Sequence, residues 1–542
     1  MLLALAATVA QSPSVEQTIH GTKPAAVLVE SFDGIGAGLT AGINPPRNPS
    51  DNSLAVGPNH IMQTVNSQVV VFSKKGDKYD TTGKVLYGPI GTNTAFAGFG
   101  GVCEERPNGD AVVRYDQLAR RWLIVMPLFR RAVVRAPGET ADLSVPARPG
   151  AAAWPGQAAS PGPAAPFGPP PPAPTPGPRG QGAPPAAAPP APPSTGSYAM
   201  CYAISVGPDP LGPYYRYAFE RPLFPDYPRP AIWPDGYYTP TSTGDDRISK
   251  TVATQKHACV VDRARMLAGQ PATEQCLIIE NINFLNNADI DGMKTPPLGA
   301  PNIMMAAGGT QLTGDLDDDG IYAWKFYVDW QDPGKTRVTG PKKIPVAPYQ
   351  YLCGGQLTDC VPQPGTDRRL DAQGDKIMAR LVYRKIGTRE SIVAVHSVNT
   401  AAGGGGVRWY EFRLDKNRDP TLHQQGTYAP EGFYRWMASP AIDRRGNIGI
   451  GYSFGGSPNF AGQRFAARMA SDPLGQLTLR ETVLADGEAS QTGTMRWEDY
   501  TQTAMDPSDD CTIWYVGDYL KKDAASYSTK IGGFRIPGCT GR

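Results

Sequence analysis

Short apolar strands separated by glycine, aspartate and proline turns recur along the whole chain. A short apolar segment ends in such a turn at residues 54–58, 113–116, 232–236, 441–443 and 504–507. A second strand follows each turn, and Ile448-Gly-Ile-Gly-Tyr-Ser453 alternates between apolar and small or polar positions, the period-2 pattern of a β-strand. This order predicts the innermost strand of a repeated β-unit, its turn and the unit's second strand.

An aspartate-proline turn alternates with these inner strands. Asp209-Pro-Leu-Gly212 and Asp472-Pro-Leu-Gly475 are identical, and Asp332-Pro-Gly334 and Asp419-Pro-Thr421 are variants. An aspartate side chain caps its own turn and proline presets φ, so this dipeptide between strands predicts a hairpin. Its return at intervals of several tens of residues indicates a repeated supersecondary unit.

The two series of turns predict an all-β fold, a β-propeller of seven blades. Inner-strand turns fall near residues 57, 116, 234, 307, 384, 443 and 506, and outer hairpins near 75, 209, 266, 333, 419, 472 and 524. Six or eight blades are the alternative counts, and a two-sheet sandwich is the competing architecture, although it fits seven similar units poorly. Residues 25–31 are expected to supply the last blade's missing strand and so remove an exposed sheet edge.

One segment belongs to no blade. Residues 136–197 consist almost wholly of proline, alanine and glycine and interrupt one blade between residues 122–126 and 198–202. Such a composition cannot bury apolar surface, so we expect a disordered or polyproline II insert within a single propeller domain of residues 25–542.

Residues 1–24 are predicted to be a leader that contains part of a secretory signal. Met1-Leu-Leu-Ala-Leu-Ala-Ala-Thr-Val-Ala10 has the apolar stretch and small-residue end of such signals, without their basic start. Eight cysteines form no CxxC pair, and local closure of each blade would join Cys103 to Cys201, Cys259 to Cys276, Cys353 to Cys360 and Cys511 to Cys539. Disulfides and export together predict a secreted, extracellular or periplasmic protein.

Charge and hydropathy exclude two classes of partner. The formal net charge is only +2, which provides no field to hold nucleic acid. No stretch reaches the roughly 18–20 apolar residues of a membrane-spanning helix. We therefore expect a monomer without nucleic-acid partners or a membrane span, and no cofactor is required by any motif.

One acidic loop is a candidate calcium site. Asp315, Asp317 and Asp319 alternate and are followed by Gly320, and calcium takes hard oxygen ligands from such alternate positions. The twelfth loop position is Phe326, so the bidentate glutamate of an EF-hand is absent. A structural calcium ion and a solvated acidic hairpin are the two alternatives.

Aspartates precede the inner-strand turn by six or seven residues in four units. They are Asp51, Asp110, Asp226 and Asp499, and Asp375 has a similar place in a fifth unit. Innermost strands of a propeller surround one channel, so these carboxylates are predicted to converge at its mouth. The alternative is that each caps nearby backbone N–H groups. Crowded like charges would raise at least one pKa toward the range useful for acid–base catalysis.

The chain resembles a group of secreted bacterial proteins that are β-propellers broadly sialidase-like in shape. The resemblance is carried by Asp51-Asn-Ser-Leu-Ala-Val-Gly-Pro-Asn-His60, Gly109-Asp-Ala-Val-Val-Arg-Tyr-Asp116, Trp233-Pro-Asp-Gly-Tyr-Tyr238 and Arg496-Trp-Glu-Asp-Tyr500. It covers nearly the whole chain and implies the fold and export, without a settled activity. Glu498 departs from the group, which usually has glycine there.

These observations predict recognition of an extracellular polysaccharide or glycoconjugate at the channel mouth. Asp499, Asp226, Asp51 and Asp110 are the candidate catalytic carboxylates of a glycoside hydrolase, with Asp499 and Asp226 preferred. Tyr227, Trp436 and Tyr500 are expected to stack on sugar rings, and Arg496 and Arg464 to hold carboxylate or sulfate groups. The alternative is a non-catalytic surface, adhesion or protein-interaction propeller.

Overall fold

The computed structural model describes residues 15–36, 47–129, 198–221, 224–243, 255–282, 284–311, 316–355, 359–524 and 526–540. The fold over these ranges is all-β. Helical structure is limited to α1 (Val102–Glu105), α2 (Arg263–Leu267) and the 3-10 turns Thr92–Phe96, Pro333–Lys335 and Leu352–Gly354. No helix in these ranges is long and apolar enough to cross a membrane. The Pro-rich insert and residues 1–14 of the predicted leader lie outside the described residues, and the domain boundaries stay a prediction.

Most strands belong to small antiparallel sheets whose spatial order follows the chain. Sheet 1 contains β3 (Ser53–Val56), β4 (His60–Val65), β5 (Gln68–Ser73) and β6 (Val85–Gly91). Sheet 2 contains β7 (Val112–Asp116), β8 (Arg121–Leu128), β9 (Tyr198–Ser205) and β10 (Tyr214–Arg221). Sheet 3 contains β11 (Ala231–Trp233), β12 (Gly236–Tyr238), β13 (Thr241–Thr243), β14 (Gln255–Asp262) and β15 (Glu274–Glu280), and both β12 and β13 pair with β14.

The second half of the chain repeats this arrangement. Sheet 4 contains β16 (Asn286–Asp291), β17 (Asn302–Ala307), β18 (Ile321–Tyr327) and β19 (Arg337–Ile344). A separate hairpin of β20 (Val361–Gln363) and β21 (Thr366–Leu370) follows. Sheet 5 contains β22 (Leu381–Ile386), β23 (Arg389–Asn399), β24 (Gly405–Leu414) and β25 (Pro420–Tyr428), and sheet 6 contains β26 (Tyr434–Ile442), β27 (Ile448–Gly456), β28 (Asn459–Arg468) and β29 (Thr482–Ala485). In sheets 4, 5 and 6 the spatial order of the strands is the same as their order in the chain.

Sheet 7 joins the two ends of the described chain. It contains β30 (Gln502–Met505), β31 (Thr512–Tyr519), β32 (Ser528–Arg535) and, as its fourth strand, β2 (Val27–Gly36). The β2–β32 pairing is antiparallel and aligns Val27 with Arg535, which confirms the expected pairing of the N-terminal strand. Upstream of it, β1 (Glu16–Gln17) pairs in parallel with β25 of sheet 5.

The first strands of successive sheets lie side by side. β3 contacts β7, β7 contacts β11, β11 contacts β16, and β22, β26 and β30 continue the order, with β30 returning to β3. β16 and β22 pair directly as parallel strands. This arrangement brings the start of each first strand toward the starts of the others.

Side chains alternate between two buried interfaces along the middle strands. In β8, Trp122 and Ile124 pack with residues of sheet 1, while Leu123 and Val125 pack with residues of sheet 3. Both faces of a sheet enclosed by neighbours are removed from water. The core therefore lies between adjacent sheets, which explains why β8 is apolar at nearly every position.

Aspartate side chains cap backbone N–H groups in three of the predicted hairpin turns. Asp209 Oδ1 accepts from Leu211 N at 3.0 Å in the β9–β10 turn, and Asp332 Oδ1 accepts from Gly334 N at 3.2 Å before β19. In the β24–β25 turn Asp415 is the cap instead of Asp419, because its Oδ1 accepts from Asn417 N at 2.8 Å.

Two predicted turn positions were wrong. Residue 307 ends β17, the second strand of sheet 4, whereas the first strand of that sheet ends at Asp291. The turn near residue 524 joins β31 and β32, the second and third strands of sheet 7, because β2 provides the outermost strand there.

Four disulfides confirm the predicted pairing of cysteines that neighbour one another in sequence. They join Cys103 to Cys201, Cys259 to Cys276, Cys353 to Cys360 and Cys511 to Cys539. Cys259 and Cys276 are directly paired across β14 and β15. A set of structural disulfides fits an oxidising compartment.

Candidate functional site

Non-glycine residues with left-handed backbone recur just before the first strands. Asp51 has φ +50°, Asp110 +57°, Tyr227 +55° and Asp499 +64°, ahead of β3, β7, β11 and β30. Such conformations cost on the order of 1–3 kcal/mol each and persist where the surrounding structure imposes them, frequently at functional sites. Their repetition at one position of four sheets marks a common end of the fold.

The four predicted aspartates converge at this end. The carboxyl of Asp51 is close enough to those of Asp110 and Asp499 for mutual repulsion, and Asp110 likewise interacts with Asp226 and Asp499. Tyr227 N donates to Asp110 Oδ2 at 3.3 Å, and Asp51 N donates to the carbonyl of Glu498 at 2.8 Å. We call Asp51, Asp110, Asp226, Asp371 and Asp499 the carboxylate cluster. Whether these residues are catalytic stays a prediction.

Asp371 is the member that sequence reasoning missed. It follows β21, is fully buried, and accepts from Trp497 N at 2.8 Å. Its Oδ2 lies 3.4 Å from Arg496 Nε. The expected fifth aspartate, Asp375, instead accepts from Lys376 Nζ at 2.7 Å. The Asp371 contacts join segments far apart in sequence, so no local pattern identifies this residue.

Asp499 is held by several donors. Arg496 Nε lies 3.2 Å from its Oδ1, and Arg496 Nη2 pairs with Oδ2. Gln373 Nε2 also donates to Oδ1, while the Oε1 of Gln373 accepts from Lys376 Nζ at 2.8 Å. Burial raises the pKa of Asp499, and Arg496 and Lys376 oppose that rise. The two cations therefore favour the ionised form of this carboxyl.

Asp110 and Asp51 differ from Asp499 because neither forms an ion pair with any described residue. Burial, followed by repulsion from Asp226 and Asp499, raises the pKa of Asp110 to about 8, although part of the residue remains exposed. Burial and repulsion from Asp110 and Asp499 also raise the pKa of Asp51. The cluster therefore combines a carboxyl held by cations with carboxyls whose protonated form is favoured.

An arginine lies between two tyrosine rings beside the cluster. The Arg229 guanidinium carbon is 3.3 Å from the ring centroid of Tyr227 and 3.9 Å from that of Tyr500. The two rings meet edge to face at 5.5 Å. Arg229 Nε and Nη2, Tyr500 Oη and Asp51 Oδ1 are buried and have no hydrogen-bond partner among the described residues. The cluster and its neighbours Arg229 and Tyr500 thus contain buried polar atoms that form no hydrogen bond with a described residue.

The predicted sugar-stacking rings are not exposed. Tyr500 is 1% exposed and packs on Arg229, and Tyr227 is 8% exposed. Trp436 is fully buried, with its ring centroid 6.3 Å from that of Trp497. Because protein atoms cover these rings, we do not include them as sugar platforms in the site.

The two predicted arginines have different surroundings. Arg496 pairs with Asp499 of the cluster, and 30% of the Arg496 side chain is exposed. The site therefore reaches solvent there and at the partly exposed Asp110 and Asp226. Arg464 lies in the third strand of sheet 6, where it pairs with Asp486 at 2.6 Å and lies over the ring of Phe454. It contacts no member of the cluster among the described residues.

Glu498 adopts the left-handed conformation, with φ +60°, a backbone geometry that favours glycine. Its carboxyl is buried and accepts from Ser453 Oγ at 2.6 Å, Gln463 Nε2 at 2.9 Å and Asp518 N at 2.5 Å. The side chain therefore joins sheets 6 and 7 behind the cluster instead of entering it.

Ion pairs fill the space between the first strands. Arg380 Nε and Nη2 donate to Asp289 and Asp291, both at 2.6 Å, and Arg114 Nε lies 3.4 Å from Asp289. The cavity between these strands measures only about 20 Å³, little more than the space for one water. A ligand of the cluster is therefore confined to the outer end.

The acidic loop is only partly described, because Asp315 lies outside the described residues. Asp319 Oδ1 accepts from Thr310 N at 3.3 Å and its Oδ2 from Tyr349 N at 3.0 Å, while Asp317 is exposed. Among described residues, the group with metal-ligand spacing is Cys259, Glu274 and Cys276, whose two cysteines form a disulfide. Asp319 thus caps backbone groups, and the calcium ion stays a prediction.

Comparisons with known proteins give weak structural similarity and no sequence relationship. No protein-family model and no curated protein matches the chain. A protein of unknown function from Dyadobacter fermentans is similar at 9% identity and a TM-score of 0.34, covering 95% of this chain and 100% of its own. The extracellular domains 1–2 of Drosophila semaphorin 1b give 8% identity and a TM-score of 0.36, with coverages of 94% and 87%. An α-L-arabinofuranosidase from Lactobacillus brevis gives 10% identity and a TM-score of 0.25, with coverages of 58% and 91%.

Proposed function

We propose that this chain is an exported β-propeller of seven blades that recognises a glycan at the carboxylate cluster. The seven sheets would be the blades, and the β2–β32 pairing would close the ring. The contacts between successive first strands, including that between β30 and β3, support this arrangement. The four disulfides support a location outside the reducing cytosol.

The cluster itself carries the proposal of glycan recognition. Its solvent-facing side presents Asp110, Asp226 and Arg496, and behind them lie unpartnered polar atoms of Asp51, Tyr500 and Arg229. A polyhydroxylated ligand supplies both donors and acceptors to such a surface. Buried polar atoms cost free energy until they are hydrogen-bonded, so a ligand that reaches them gains affinity.

We further propose that the protein hydrolyses its glycan. Glycoside hydrolysis requires one carboxylic acid that donates a proton and one carboxylate that acts as base or nucleophile. The different surroundings of Asp110, which has no ion pair with a described residue, and of Asp499, which Arg496 and Gln373 hold, support these roles. Asp110 would be the acid and Asp499 the carboxylate, a different pairing from the Asp499–Asp226 pair preferred from sequence.

A screen for release of reducing ends from a polysaccharide panel tests hydrolysis. Asp110→Asn and Asp499→Asn should each lower the rate at least about 100-fold, the scale of one acid–base group. Asp77→Asn is the matched control, because Asp77 is exposed and lies in the turn between β5 and β6, the outer strands of sheet 1. Binding without release of reducing ends would support the non-catalytic alternative and reject hydrolysis.

A further inference from the structure

We infer that the glycan carries protonated amino groups, so that the preferred ligand of the carboxylate cluster is an amino-sugar polymer. This inference rests on the proposed glycan recognition but not on hydrolysis. It reverses the expectation from sequence that the site's arginines hold carboxylate or sulfate groups. The observations that carry it are the partners of each charge in the cluster and the buried acceptor left on Asp51.

Two of the cations near the cluster, Arg496 and Lys376, already form ion pairs. Arg496 pairs with Asp499 and lies 3.4 Å from Asp371, and Lys376 pairs with Asp375 at 2.7 Å. Arg229 lies between the tyrosine rings of the site. An anionic sugar would therefore compete with existing ion pairs and add a further negative charge beside the cluster.

The acids, in contrast, retain binding capacity. Asp51 and Asp110 form no ion pair with a described residue, and Asp51 Oδ1 accepts no hydrogen bond although only 1% of the residue is exposed. Tyr500 Oη is also buried without a partner and lies within electrostatic range of both acids. An ammonium group has three donors and no acceptor, and it supplies a positive charge that can pair directly with these two acids.

The rest of an amino sugar fits the remaining atoms. The unpartnered Nε and Nη2 of Arg229 are donors, for which sugar hydroxyl and ring oxygens are acceptors. An N-acetylated sugar retains those oxygens but loses the charge. The acetylated and free forms of one polymer therefore separate the contribution of the ammonium group from that of the sugar.

Binding of an ammonium group should displace protons from the cluster. The carboxyls of Asp226 and Asp499, Arg229 and Tyr500 face Asp110. Asp51 is faced by Asp110, Asp499, Arg496, Asn66, Tyr500 and Tyr527. Burial, together with repulsion among the carboxyls, raises the pKa of Asp51 and Asp110, and a neighbouring cation favours their ionised forms. Proton release is a signature that a neutral or acidic sugar would not produce.

Isothermal titration of the full chain in two buffers of different ionisation enthalpy, at about pH 6 so that the sugar amine is charged and Asp110 is still protonated, tests the inference. The ligands are β-1,4-linked glucosamine hexamer, its fully N-acetylated counterpart and galacturonate hexamer. We expect the glucosamine hexamer to bind at least about 10-fold more tightly than either other ligand and to release protons.

Asp110→Asn should reduce both the proton release and the preference, whereas Asp77→Asn should retain both. Asp51→Asn provides a second test, with thermal unfolding to confirm that each variant folds. Equal or tighter binding of the acetylated or acidic hexamer would overturn the inference while leaving glycan recognition intact. Failure of all three hexamers to bind would overturn both.

Discussion

Tyr227 Oη donates a hydrogen bond of 3.0 Å to the backbone carbonyl of Asp499, 272 residues later in the chain. The bond joins the segment before β11 to the segment before β30, and both residues have left-handed backbone. It fixes the position of Asp499 relative to Asp110, because Tyr227 N also donates to Asp110 Oδ2. The geometry of the cluster thus depends on backbone contacts between sheets as well as on the carboxyls themselves.

Replacing Tyr227 by phenylalanine should separate positioning from stability. The change removes one buried hydrogen bond and leaves the ring on Arg229, so we expect a loss of about 1–2 kcal/mol in the free energy of unfolding. The loss in the free energy of glycan binding should exceed this loss in the free energy of unfolding, because Asp499 is no longer fixed. Urea unfolding and titration with the bound glycan measure the two effects, and unchanged affinity would contradict the positioning role.

The contribution of Asp110 to stability should fall as the pH rises from about 4 to about 8. The pKa of Asp110 lies above its unfolded value, so the folded protein binds more protons than the unfolded chain in that window, and ionisation of Asp110 on raising the pH destabilises the fold. The slope contributed by this single group is about 1.4 kcal/mol per pH unit.

The variant Asp110→Asn isolates that contribution. Because asparagine does not titrate, the variant should gain stability relative to the native protein at pH 8 compared with pH 5. The amide oxygen can still accept from Tyr227 N. Denaturant unfolding at several pH values measures the difference, and parallel pH profiles for variant and native protein would contradict a raised pKa at Asp110.

The Pro-rich segment should be dispensable for folding. Leu128 and Ala199, just outside it, are directly paired across β8 and β9, so a short linker can join the two strands without moving them. Replacing residues 140–195 by a short Gly-Ser linker should change the melting temperature by only a few degrees. A large loss would show that the segment packs on the sheets.

The disulfides should differ in their contribution to stability. Cys103 and Cys201 are 98 residues apart, and Cys353 and Cys360 are 7 apart. Chain-entropy arguments predict losses of about 5 and about 2 kcal/mol, respectively, when each pair is replaced by alanines. Peptide mapping without reduction checks the pairing, and equal losses for the two variants would contradict the entropic explanation.

Sequence patterns located the elements whose signals are local. Aspartate turns depend on nearby residues, the cysteine pairs follow their order in the chain, and the recurring aspartates marked one end of the fold. The first strand of sheet 4, Asn286–Asp291, was missed because its side chains are polar, and a hydropathy pattern ignores such a strand. The carboxylates of this strand, Asp291 and Asp289, are paired with Arg380, which lies 89 and 91 residues later in the chain.

Burial of the site's aromatic residues was beyond the sequence for a similar reason. Tyr500 and Tyr227 enclose the guanidinium of Arg229. Arg229 precedes β11 of sheet 3, whereas Tyr500 precedes β30 of sheet 7. Asp371 enters the cluster through Arg496, 125 positions later in the numbering. Such partnerships are set by the packing of whole sheets, and no spacing within a segment reports them.

The pairing of β2 with β32 also constrains the order in which the protein can assemble. β2 is synthesised long before its partner strand β32, which ends at Arg535. Until then β2 lacks the neighbour that satisfies its backbone groups, and unpaired strands of this kind are prone to wrong associations. Sheet 7 can therefore form only after the strands of the six other sheets have been made.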